Sequence, residues 1–274
     1  MNWYNLLKHD IRCGILRKRY LFLPLIFFPS YILCYILCRN IDGAESWIDY
    51  MMYSFCGIEQ VTLMDSIVRF RIPIMWLVVM CGALYYNLDY INDDLTHAGQ
   101  QVLVRCGSRT AWFISKCVWN VLSCIVYMLC AQVVAVLFSF SASGVISSYS
   151  TPEFISAVFG LFSEQVLDVW HSFLVAFICP VFTIIALTML QMILSIMANC
   201  IISFVVCLSI LTAAVYVPSP WVLGNGAMII RSSVFADNGI NPYQSIAASI
   251  FTTILCMIIG AIYFKHMDVF DREE

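Results

Sequence analysis

Residues 169–217 read VWHSFLVAFICPVFTIIALTMLQMILSIMANCIISFVVCLSILTAAVYV, and the charge-free run continues to Ile230 before Arg231 ends it. The run is apolar on every face. Neither the stretch from Ile184 to Leu194 nor that from Ile201 to Val206 alternates apolar with polar residues, as a barrel strand of period two would. In hydrocarbon every backbone N–H and C=O must find a partner within the structure, and a helix supplies it inside one segment. A crossing takes about 20 residues, because ~30 Å of hydrocarbon is spanned at about 1.5 Å per residue. The run is too long for one crossing and predicts two helices, with a tight turn near Asn199.

Outward from this pair, residues 20–38, 72–88, 117–152 and 238–264 also lack Asp, Glu, Lys and Arg. Six spans follow, at 20–38, 71–91, 113–138, 169–197, 200–217 and 243–264. Composition agrees: 62% of the 274 residues are hydrophobic and 11% charged, where a soluble domain carries about 25% charged residues. The expected fold is an all-α polytopic membrane protein forming one transmembrane domain over 1–274. Residues 1–19 make a cytoplasmic interfacial helix, 20–264 the six-helix bundle and 265–274 a cytoplasmic tail.

Orientation comes from Lys and Arg. Lys8, Arg12, Arg17, Lys18 and Arg19 precede the first span; Arg105, Arg109 and Lys116 follow the second; Lys265 and Arg272 lie in the tail. The other side holds Arg39, Arg69, Arg71 and Arg231. Ten against four places both termini in the cytoplasm of a bacterial plasma membrane. In the N-terminal helix Trp3, Leu6, Leu7, Ile11 and Ile15 share a broad apolar face, on which Asp10 intrudes. A basic amphipathic segment of this kind fits the headgroup zone, with membrane lipid as its partner.

The loops carry further signals. In the first outer loop, 39–70, the aromatic cluster Trp47–Phe55 suits an interfacial belt. In the second, Thr151-Pro152-Glu153 is a helix start, predicting a short helix over 152–162. The third, 218–242, is apolar but broken by Pro and Gly, and predicts backbone that dips into the outer leaflet or is covered by protein. Cytoplasmic residues 92–116 predict a short amphipathic helix through Leu95, Val102, Leu103 and Val104, ended by Gly107, with Ser108 capping the next helix.

Catalytic motifs are absent from the sequence. No Gly precedes a Lys, so there is no phosphate-binding P-loop, and neither H-E-x-x-H nor G-x-S-x-G occurs. The 13 cysteines include no C-x-x-C pair and read as small apolar packing residues. Cys34 or Cys38 could meet Cys56 near the outer face. Gln191 is the main polar side chain deep in a span and reads as an interhelical hydrogen bonder. The spans hold no mid-membrane carboxylates of the kind an ion-coupled carrier uses. The chain is therefore expected to be no enzyme, to hold no cofactor and to bind no nucleic acid. Energy for any transport would come from another subunit.

The loop 92–116 carries a resemblance. Asp93 or Asp94, Gly99, Arg105, Ser108-Arg109 and Lys116 follow the pattern of an acid, a glycine, a basic-Ser-Arg stretch and a lysine opening the third span. The tail Phe264-Lys265-His266-Met267-Asp268-Val269-Phe270 matches an aromatic-basic close. With the basic N-terminal helix, six spans and the broken segment before the last, this resembles the membrane (permease) subunits of ABC-2-type ABC exporters. The resemblance implies a pathway built by two permease subunits, alike or different, with ATP-binding cassette subunits docked from the cytoplasm. Residues 95–106 would be the coupling helix, and Asp93, Asp94, Gly99, Arg105, Ser108, Arg109 and Lys116 the coupling residues. The N-terminal helix, through Trp3, Leu7 and Ile11, would be a second contact. The aromatic outer loops and uncharged interior favour an amphipathic cargo: a peptide, an antibiotic or a lipid-like molecule. The competing expectation is a non-transporting sensor accessory, or an immunity protein that binds a peptide toxin through those loops.

Overall fold

Polar caps set the helix boundaries. Ser108, Thr151 and Asn199 each accept a hydrogen bond from the backbone N–H three residues on, at Ala111, Phe154 and Ile202, which satisfies a donor that the first helical turn leaves open. Gly144 and Gly160 end two helices in the left-handed conformation. The protein was examined as a computed structural model, which describes residues 3–15, 18–39, 41, 46–60, 72–96, 108–144, 146–160, 168–236 and 238–266.

The described residues form helices and connecting turns, with no β-strand among them. Helix α1 covers Trp3–Asp10 and continues into a π-helical turn, Ile11–Ile15. Helix α2 is Pro24–Cys38, α3 Trp47–Ser54, α4 Ile74–Leu88 and α5 Tyr90–Thr96. Helix α6 is Arg109–Ser143, α7 Pro152–Phe159, α8 Val169–Met197, α9 Cys200–Tyr216 and α10 Pro242–His266. Within α8, a π-helical turn over Leu174–Ile178 precedes Pro180. A proline ring crowds the carbonyl four residues before it, and the wider turn makes room.

Four helices are long and apolar enough to cross a membrane: Tyr20–Cys38, α6, α8 and α10. Two of the six expected spans are shorter. Helix α4 has 15 residues and α9 has 17, about 22 and 26 Å of rise against ~30 Å of hydrocarbon. Pro73 and Asp89 bound the first; Asn199 and the Pro218–Pro220 segment bound the second. Helix α8 is the centre of the bundle, with 67% of its most apolar window buried against 33%, 39% and 28% for the other three. It packs on α4, α6, α9 and α10. Outward faces of α9 and α10 remain apolar, with Ile201, Val205, Phe251, Ile254 and Ile258 exposed.

Helix α3 corrects an expectation. The aromatic stretch is turned largely into the protein: Ile48, Tyr50, Met51, Met52 and Phe55 are fully buried, and α3 packs on α2 and α6. Its start is a capping box in which Ser46 and Asp49 exchange side chain and backbone hydrogen bonds at 3.0 and 3.2 Å. The broken segment is covered by protein over most of 223–232, while Pro218, Trp221 and Ser233 stay exposed. Backbone N–H groups of Ile229 and Ile230 donate to the carbonyls of Phe55 and Cys56, and Trp76 Nε1 donates to the Ala227 carbonyl at 3.0 Å. Gly57 takes φ 75° there, and a Cβ would stand 2.6 Å from Met228 Cβ, so glycine is required on both counts.

Arg231, 1% exposed, fastens this end. Its five N–H donors meet five oxygens. Nε donates to Ile58 O at 2.8 Å, Nη1 to Ala214 O and Asn225 Oδ1, and Nη2 to Val215 O and Glu59 O. Ala214 and Val215 lie in the last turn of α9, whose open carbonyls form the negative end of the helix dipole.

Candidate functional site

At the opposite end, the one carrying both termini, a second ionic group is buried. Lys116, on the first turns of α6, is 0% exposed. Its Nζ lies 2.6 Å from Asp10 Oδ1 and 2.6 Å from Asp94 Oδ2, and donates to Tyr90 Oη at 3.3 Å. Tyr90 Oη donates to Asp10 Oδ1 at 2.9 Å, and Ser115 Oγ donates to Asp10 Oδ2 at 2.5 Å. The ammonium also stands over two rings, 4.6 Å from the centre of Tyr90 and 5.0 Å from that of Trp112.

Helical spacing explains the convergence. Tyr90 and Asp94 are four apart on α5; Trp112, Ser115 and Lys116 are four, three and one apart on α6. Each set presents one face. Asp10 comes from α1, which approaches α6 closely at Gly14: a Cβ there would stand 2.1 Å from the Trp119 indole nitrogen. Tyr90 stacks on Trp119 with ring centres 4.1 Å apart, and Trp112 stacks on Phe264 of α10 at 4.7 Å. Burial, together with the charges of Asp10 and Asp94, pushes the Tyr90 phenol well above its ordinary pKa, which keeps it a hydrogen-bond donor.

One ammonium thus answers two carboxylates in a dry setting. Removing charges from water is expensive, and the cost is met only where geometry and added hydrogen bonds are good. Here they are, as long as α1, α5 and α6 keep their positions. The group is a junction of three helices: moving α6 away strands both carboxylates, whereas moving α1 or α5 leaves the ammonium one acid.

Of the expected coupling residues, the structure brings Asp94 and Lys116 together. Both are buried. Ser108 caps α6. Arg109 Nη1 reaches the Lys265 carbonyl at 3.3 Å, joining α6 to the end of α10. Asp93 is half-buried on α5. Gly99 and Arg105 lie outside the described residues, as does most of the expected coupling helix.

In α1, Trp3 opens the helix, Leu6, Asp10 and Gly14 face the bundle, and Leu7 and Ile11 lie on its flank. The expected single apolar face is therefore split. Asp10, Tyr90, Trp112 and Ser115 were not among the expected site residues. The acid breaking the apolar face of α1 was the one visible signal.

The family described as "Protein of unknown function (DUF2705)" matches residues 19–270. The chain belongs to this family. No curated protein and no solved structure matches it. The match to DUF2705 takes in Tyr90, Asp94, Ser115 and Lys116 and begins after Asp10, so the junction joins the family region to a helix that precedes it. Among the described residues no group of three or more His, Cys, Asp or Glu side chains is placed to hold a metal ion. All 12 described cysteines are free thiols; Cys34 and Cys38 lie 3.8 Å apart, sulfur to sulfur, one turn apart on α2. Gln191 does not act as the expected interhelical bonder: neither amide atom has a hydrogen-bond partner among the described residues.

Proposed function

We propose that this DUF2705 chain is the membrane subunit of an ATP-driven exporter of the ABC-2 type, sitting in the bacterial plasma membrane with both termini in the cytoplasm. Helices α4 and α9 serve as the second and fifth of six crossings. A separate ATP-binding cassette subunit hydrolyses ATP and docks on the loop between α5 and α6, and a second permease subunit completes the pathway.

The observation that supports this reading most is the Lys116 junction. It lies at the base of the loop that would receive the ATPase, and it ties that loop's two flanking helices to α1. A push on the loop is transmitted as a displacement of rigid helices, and a buried ion triad has two discrete outcomes, formed or broken. The sensor and immunity readings need an exposed aromatic outer surface. Helix α3 buries Tyr50 and Phe55, which leaves Tyr149 and Trp221 as the strongly exposed aromatics of the outer loops among the described residues, and a smaller surface for such binding.

Affinity purification of the tagged chain in mild detergent tests the proposal. An ATP-binding subunit is expected at near-equal stoichiometry, and the pair Gly99→Pro with Arg105→Glu should abolish ATP-driven transport while leaving the complex assembled. A preparation free of any ATPase, repeated in native lipid, removes the transporter reading. For cargo, ATPase stimulation is expected with amphipathic peptides or lipids; stimulation by small polar solutes alone defeats that assignment.

A further inference from the structure

Helix α1 turns its one acid inward. Asp10 is spent on Lys116, while Leu6 and Gly14 pack beside it. The opposite stripe is Tyr4, Leu7, Lys8, Ile11 and Arg12, at the i, i+3, i+4, i+7 and i+8 positions that share one side of a helix. These five residues line an open groove of 310 Å³. Tyr4, Lys8 and Arg12 are exposed, and Leu7 and Ile11 form the apolar floor. Neither Lys8 nor Arg12 has an ion-pair partner among the described residues. The groove thus combines an apolar floor, a tyrosine rim and two unanswered cations one turn apart.

We propose that this groove is a binding site for an anionic phospholipid of the leaflet on the N-terminal side, with its phosphate between Lys8 and Arg12 and its glycerol and upper acyl carbons over Leu7 and Ile11. A free anion would leave the apolar floor bare, and a zwitterionic lipid would bring a third cation to the two already there. The chemistry is that of basic interfacial helices, on which each Lys or Arg adds attraction to anionic headgroups and apolar side chains enter the acyl boundary. Because Asp10 faces the bundle, nothing acidic on α1 opposes the phosphate. The inference requires only that the chain sits in a bilayer and holds whether or not an ATPase docks.

Native mass spectrometry of the full chain in detergent, titrated with phosphatidylglycerol and with phosphatidylcholine of matched acyl chains, tests it. Phosphatidylglycerol should bind roughly 10- to 30-fold more tightly, the product of two cations each contributing several-fold. The double variant Lys8→Gln with Arg12→Gln should bring it down to the phosphatidylcholine level with no change in melting temperature, since both side chains face away from the bundle. In the native chain, added salt should weaken phosphatidylglycerol alone, and inorganic phosphate should not displace it. Equal retention of the two lipids by the native chain, undiminished phosphatidylglycerol binding by the double variant, or displacement by inorganic phosphate would each overturn the site. The comparison of lipids and salts on the native chain decides the matter even if the variant fails to fold.

Discussion

Lys116 and Arg231 are both buried, at 0% and 1% exposure, at opposite ends of one bundle, and they are neutralised by different chemistry. Lys116 meets two carboxylates and a phenol, all side chains, carried on the two helices α1 and α5. Arg231 meets four backbone carbonyls and one side-chain amide oxygen. An ammonium is a compact charge with three rotatable donors, whereas a guanidinium is a rigid fork with five. The fork suits a fixed cage of carbonyls. The compact charge suits partners that can come and go. The Arg231 cage is held mainly by the backbone, whereas the Lys116 contacts depend on side chains of α1 and α5.

The sharpest way to break this contrast is at Arg231. Arg231→Met orphans five acceptors and should cost about 3–5 kcal/mol, read as a large fall in melting temperature in detergent. Arg231→Lys, with three donors, should fall between. Burial lowers the Arg231 pKa only to about 10, so the cage stays charged at neutral pH. No second side-chain change can restore the native value, because the acceptors are mostly main chain. A melting temperature for Arg231→Met close to that of the native chain would show the cage to be incidental.

Lys116→Met is expected to cost about 3–5 kcal/mol less the relaxation of α1, because it strands Asp10 and Asp94 in the core. Here rescue is possible. Adding Asp10→Asn and Asp94→Asn removes the stranded charges and should recover more than half of the loss, a coupling that a mutant cycle measures directly. If the triple variant melts no higher than the single one, the junction is not an ionic network and its contrast with Arg231 fails.

How much of this could be read beforehand depended on range. The caps at Ser108 and Thr151 were legible because a helix start is written within four residues. The intrusion of Asp10 on an apolar face was legible too, but its partner lies 106 residues away, and pattern alone gives no register between distant helices. Lys116 and Asp94 were singled out from the loop pattern as a docking surface; the fold buries them. Helix α3 was misjudged because aromatic density is shared by interfacial belts and by cores. The Ser46–Asp49 capping box was the local clue that the stretch begins a packed helix. The second span, expected over 71–91, was overextended because hydropathy runs past Pro73 and Asp89, where the hydrogen-bond ladder of α4 ends; the fifth, expected over 200–217, agrees with α9 to within one residue.

The smallest effect concerns a further buried acid, one with no cation paired to it among the described residues. Asp49 is fully buried on α3, and burial raises its pKa from 3.8 to about 6, with the hydrogen bond from the Ser46 N–H opposing the shift. The sign follows from proton binding. Between about pH 4 and pH 6 the folded chain holds the proton and the unfolded chain has released it, so stability falls as pH rises through that window. A shift of about two units sets an upper limit near 3 kcal/mol, and 1–2 kcal/mol is expected (about half that limit) once the surroundings relax around the ion. Asp49→Asn keeps an oxygen for the Ser46 N–H but carries no titrating proton. Its melting temperature should match the native chain near pH 4 and exceed it near pH 7. Parallel pH profiles for the two proteins would mean that Asp49 is answered by a cation that works as Lys116 works on Asp10, and α3 would then hold an ion pair of its own.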